Sequence, residues 1–60
     1  MTTDNQIREI ARGYLENVRA LQTHRITADE HRANNRTLRA DLTDLEWERA
    51  KATAFGAMDR

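Results

Sequence analysis

Large apolar residues in the first third of the chain recur at helical intervals. Ile7, Ile10, Tyr14, Val18 and Leu21 step by three, four, four and three positions. That spacing places them on one stripe of an α-helix. Thr3 followed three positions later by Gln6 has the form of a capping box, in which two side chains satisfy free amides of the first turn. The pattern predicts a first helix over about 4–24. Gly13 lies inside it, either as a tolerated cost of up to about 1 kcal/mol or as a point of close approach by a neighbouring helix.

Thr27 and Glu30 make a second capping box, with Ile26 just before it. A second helix therefore starts at Ala28, and residues 25–27 are a tight connection. From there His31, Asn35, Leu38, Leu42, Leu45, Arg49 and Ala52 alternate by four and three, a heptad seam that is polar at its start. Gly56 suits a C-terminal cap, so the second helix spans 28–55 and 56–60 is a short tail. Thr43 and Glu46 form a third capping box, and Leu42 and Trp47 stand where a hydrophobic staple needs them. That signal argues for a break near Asp41 and three helices. No glycine or proline marks a turn there and the heptad runs through, so periodicity favours one long helix.

The expectation is an all-α single domain over 1–60, an antiparallel helical hairpin. Folding the chain about its turn pairs Leu21 with His31, Val18 with Asn35, Tyr14 with Leu38, Ile10 and Ala11 with Leu42, and Ile7 with Leu45. His31 and Asn35 then make a polar layer near the turn. In length and hairpin plan the chain resembles the Rop-type RNA-binding hairpins that pair into four-helix bundles. The likeness implies architecture alone, since no residue motif accompanies it and fold does not carry function.

Length sharpens the expectation of a partner. A chain of 60 residues buries only about 60% of its unfolded surface, and such small domains usually add disulfides, metals or other chains. Cysteine is absent, which excludes disulfides and cysteine-ligated zinc. Association remains, with a homodimer forming a four-helix bundle as the commonest form. In the hairpin plan the second helix overhangs the first beyond about Arg49, leaving Trp47, Ala50, Ala54, Phe55 and Met58 as the expected oligomer or partner interface.

Chemistry is hard to find in the residues. The chain has no serine and no cysteine, and Gly13 and Gly56 stand alone, so no phosphate-cradling loop occurs. His24 and His31 straddle the turn at a spacing that matches no zinc motif. A lone hairpin offers no pocket for a small-molecule substrate. No enzyme activity, metal or cofactor is expected. No apolar run approaches the ~20 residues of a membrane span, and the opening residues lack the pattern of a signal peptide, so a cytoplasmic location is the default expectation.

Charge offers the remaining signal. Ten basic and ten acidic residues cancel, yet Arg32, Arg36 and Arg39 fall at i, i+4 and i+7 on one helical face. Such a row suits phosphates or an acidic partner because the guanidinium fork matches both. A pI near 6.7 is far from the strongly basic footprint of a dedicated nucleic-acid binder. Arg8, Arg12 and Arg19 form a comparable stripe on the first helix. The function expected is protein binding by a small regulator, inhibitor or adaptor, of a kind frequent among phage and mobile-element accessory proteins. Nucleic-acid binding through the arginine row and a structural role in a larger assembly are the alternatives.

Overall fold

The computed structural model describes residues 3–58, with side chains described as far as Gly56. Those residues form three helices: α1 (Asp4–Gln22), α2 (Ala28–Arg39) and α3 (Asp44–Met58). Each opens on the capping box that the sequence carries. Thr3 Oγ1 accepts from the Gln6 amide at 3.2 Å and Gln6 Oε1 accepts from the Thr3 amide at 2.8 Å. The same reciprocal pair joins Thr27 to Glu30 and Thr43 to Glu46.

The end of α1 is a Schellman turn built without glycine. The Arg25 amide donates to the Ala20 carbonyl at 2.8 Å and the His24 amide to Leu21 at 3.1 Å. His24 takes the left-handed conformation this requires, with φ of 59°. Ile26, in the connection, is half-buried.

The long second helix over 28–55 does not form. The chain leaves the helix at Ala40 and re-enters one at Asp44, with no glycine or proline between. The physical reason is what the break permits. It turns α3 back onto α1 and buries Trp47, Ala50 and Ala54 beside Ile7, Ala11 and Tyr14. Burying roughly 200 Å2 of a tryptophan at about 25 cal/mol/Å2 contributes about 5 kcal/mol. An interrupted turn forgoes a few backbone hydrogen bonds worth about 1 kcal/mol each, and the Thr43 cap replaces part of them.

The break also changes which face of α3 is inside. The expected seam ran through Leu45, Arg49 and Ala52. The buried row is Trp47, Ala50 and Ala54, while Leu45 is 73% exposed. A shift of two residues rotates a helix face by about 200°, so the expected seam is the outer surface of α3. The pairing of Ile7 with Leu45 fails for this reason. Arg49 instead reaches Asp4 at 3.3 Å across the surface.

α2 packs on α1, but through other residues than the expected pairs. Asn17, not Val18, meets Asn35. Gly13 meets Leu38, and a Cβ on Gly13 would lie 3.0 Å from a Leu38 methyl. The close approach expected as one reading of Gly13 is therefore present. Tyr14 turns to α3, with its ring nearly perpendicular to those of Trp47 at 5.5 Å and Phe55 at 5.8 Å.

The core is small and half alanine. The accessible surface is 4667 Å2, against about 4,000 Å2 for a compact chain of this mass. The Cα extents of 34 × 27 × 14 Å describe a slab. Both α2 and α3 pack on α1 and scarcely on each other, which leaves the space between them open.

Candidate functional site: a basic cleft between α2 and α3

The capping boxes set the phase of α2 and α3, and the side chains that line their gap follow from that phase. Arg32, Asn35, Arg36 and Arg39 come from α2, Trp47 and Lys51 from α3, and Tyr14 from α1. They line an open cleft of about 610 Å3 with no carboxylate in its lining. The three arginines of the sequence row are thus brought together, and α3 adds a cation that the row itself does not reveal. Lys51 belongs here because it is four residues after Trp47 on the α3 edge that faces the cleft.

Trp47 organises the cations. Its ring lies 5.8 Å from the Arg39 guanidinium and 5.8 Å from the Lys51 ammonium. A cation over an aromatic face is attracted by the ring quadrupole. The indole residue is 6% exposed. It serves as the floor of the cleft rather than as a platform on which a base could stack.

The cations differ in how they are engaged. Arg32 pairs with Asp29 at 2.8 Å, Arg39 with Asp44 at 2.8 Å and Lys51 with Glu48 at 2.7 Å. All three carboxylates are at least two-thirds exposed and lie outside the lining. Ion pairs of this kind are worth 0–1 kcal/mol and exchange readily with other anions. Arg36 has no hydrogen bond or ion pair among the described residues, so its fork is open to a ligand.

Behind the arginine row lies a polar layer that holds α2 in register. Asn17 is 6% exposed in the middle of α1. Its Nδ2 donates to Asn35 Oδ1 at 2.8 Å and to the His31 carbonyl at 3.1 Å, and its Oδ1 accepts from Asn34 at 3.0 Å. Asn35 and His31 Nε2 are 3.2 Å apart. His31 and Asn35 form the polar layer expected near the turn, and Asn17 is the member that sequence reasoning missed. The signal was a carboxamide three residues after Tyr14, next to the apolar stripe. Buried polar pairings of this kind tolerate few alternative registers.

The expected interface residues divide. Trp47, Ala50 and Ala54 are not an outward surface, because α3 turns them inward against α1. The overhang from which a paired hairpin was expected is therefore inside the chain. Phe55 is 48% exposed, on the α3 row that also carries Trp47 and Lys51. The side chain of Met58 lies outside the described residues. Arg8, Arg12 and Arg19 are exposed on α1 and do not line the cleft.

Among the described residues no three His, Asp or Glu side chains gather as a metal site. No described helix is long and apolar enough to cross a membrane. No family model matches the chain, and neither a curated protein nor a solved structure matches it.

Proposed function

We propose that this protein is a small non-enzymatic binding module that regulates, inhibits or adapts another protein by gripping an acidic segment of it in the cleft between α2 and α3. One observation carries the reading. Arg32, Arg36, Arg39 and Lys51 converge from two helices on a cleft whose lining has no carboxylate, in a chain whose total charge is zero. Concentrating positive charge in one concavity raises the local potential and steers an anionic partner toward it. The buried indole favours a protein segment over single-stranded nucleic acid, which commonly uses exposed aromatic rings for stacking.

Titration of the protein with a polyglutamate peptide, and separately with a single-stranded oligonucleotide of equal charge, tests this. Trp47 fluorescence is the readout. The peptide is expected to bind, to weaken as salt rises, and to lose about tenfold or more in affinity in Arg36→Glu. If the oligonucleotide binds at least tenfold more tightly than the peptide, the reading as a protein-binding module is wrong.

A further inference from the structure

We infer that the segment held in the cleft is an amphipathic helix that docks as a fourth helix, with carboxylates spaced to match the arginine row. The inference rests on the proposed reading of the cleft as a protein-binding site and says what shape that protein presents. Both α2 and α3 lie on α1, and they approach one another where Arg39 reaches Asp44 and the Trp47 ring, with little backbone contact between them. The gap between two helices over a third is where a further helix completes a bundle, by laying one face into the groove.

The charges have a helical period. Arg32, Arg36 and Arg39 are separated along α2 by about 6 Å and about 4.5 Å of axial rise. Carboxylates at the same four-and-three spacing on a neighbouring helix meet them one for one. Across the cleft, Trp47, Lys51 and Phe55 form a row at four-residue intervals on α3. The docked helix therefore meets a cation row on one side, Lys51 on the other, and an aromatic ring beyond it. Phe55 is half exposed while its ring packs nearly perpendicular to that of Tyr14, so it offers a fixed apolar contact to one large side chain of the incoming helix.

The occupant is another protein rather than a second copy of this chain. The carboxylates of α1 are Asp4, Glu9 and Glu16, those of α2 are Asp29 and Glu30, and those of α3 are Asp44, Glu46 and Glu48. None of these sets contains three at four-and-three spacing; Glu48, Asp44 and Asp41 read four and three in the reverse direction, but Asp41 lies in the connection before α3 and not on a helix. Asp44 and Glu48 begin such a row, but Lys51 stands where its third carboxylate belongs.

Three probes of the full chain test the inference: a peptide of about 15 residues with Glu at the four-and-three spacing and one Leu on the adjoining face, a peptide of the same composition with the spacing scrambled, and a single-stranded oligonucleotide of equal charge. Binding is read by calorimetry and the peptide's helicity by circular dichroism. The spaced peptide is expected to bind at least tenfold more tightly than the scrambled one and to become helical when bound. Arg36→Glu is expected to weaken it at least tenfold and Phe55→Ala about fivefold. Arg8→Glu, which makes the same charge change outside the cleft, should stay within about twofold. Equal binding of the two peptides overturns the fourth helix and leaves the acidic-segment reading standing. Binding of the oligonucleotide with neither peptide overturns both. Peptide-independent self-association that Arg36→Glu abolishes also overturns the inference, because the occupant is then a second copy. Thermal melts of each variant show that the fold is retained.

Discussion

Where α3 meets α1 the contact is apolar, built from Ile7, Ala11, Tyr14, Trp47, Ala50 and Ala54. Where α2 meets α1 it is largely polar, built from Asn17, Asn34, Asn35 and the half-buried Leu38. No residue of α2 is buried. The two contacts have different physical roles. Apolar burial is non-directional and supplies most of the stabilisation. Hydrogen bonds between carboxamides add little net energy but are costly to leave unmade, so they fix where α2 sits. A helix held this way opens more easily than one held by a core. The arginine row is carried by that softer helix, while its aromatic floor belongs to the firmer one.

The most severe break of this contrast is Trp47→Ala. Truncating a buried tryptophan costs about 3–5 kcal/mol, against a total stability of roughly 3–9 kcal/mol for a chain of this length. A cooperative thermal transition followed by circular dichroism should be lost or nearly so. A transition like that of the parent would mean that the α1–α3 contact is not what holds the molecule.

Asn17→Ala separates the two contacts. Removing its carboxamide leaves Asn35 Oδ1 and Asn34 Nδ2 without their partner and takes from the His31 carbonyl the bond it accepts besides its helical one, at about 1–3 kcal/mol. Amide exchange should accelerate in α2 more than in α3. Uniform acceleration across all three helices would show that the polar layer is part of one cooperative core and that the contrast between the helices is false.

His24→Gly sharpens the comparison from the opposite direction. A non-glycine residue in the left-handed region costs about 1–2 kcal/mol, and glycine relieves it where α1 hands over to α2. The melting temperature should rise, with the gain near 1 kcal/mol after the larger chain entropy of glycine is counted. No rise would mean that the imidazole compensates the strain through contacts of its own.

The smallest expected effect is at the surface between α1 and α3. Arg49 and Asp4 are 60% and 81% exposed at 3.3 Å, and Arg49→Ala should change stability by no more than about 0.5 kcal/mol. A loss above 1 kcal/mol in a melt would show that charge, and not the apolar face alone, secures α3.

Much of this was legible residue by residue. The boxes at Thr3 and Thr27 and the polar positions His31 and Asn35 are local or nearly local patterns, and the structure keeps them; the stripe from Ile7 to Leu21 is kept only in part, since the buried row of α1 is Ile7, Ala11, Tyr14 and Asn17 while Ile10, Val18 and Leu21 are half-buried. The row of Arg32, Arg36 and Arg39 was legible for the same reason, because a helical face is set by spacing along one element. Lys51 and Tyr14 were not legible as cleft residues, since they come from other helices. Asn17 escaped because an amide beside an apolar stripe does not show in spacing whether it points at water or at another amide.

The sequence by itself determined two helix starts, at Thr3 and Thr27, the helical period of α1 and the cation row of α2, all through interactions between residues three or four positions apart. Near Asp41 two such local signals opposed each other, the Thr43 capping box against an unbroken heptad, and each is worth only about 1 kcal/mol. Tertiary packing decided between them. Turning α3 onto α1 buries Trp47, whose contribution of about 5 kcal/mol exceeds either local preference. The same turn placed Ala50 and Ala54 inside, left Leu45 outside and opened the cleft between α2 and α3.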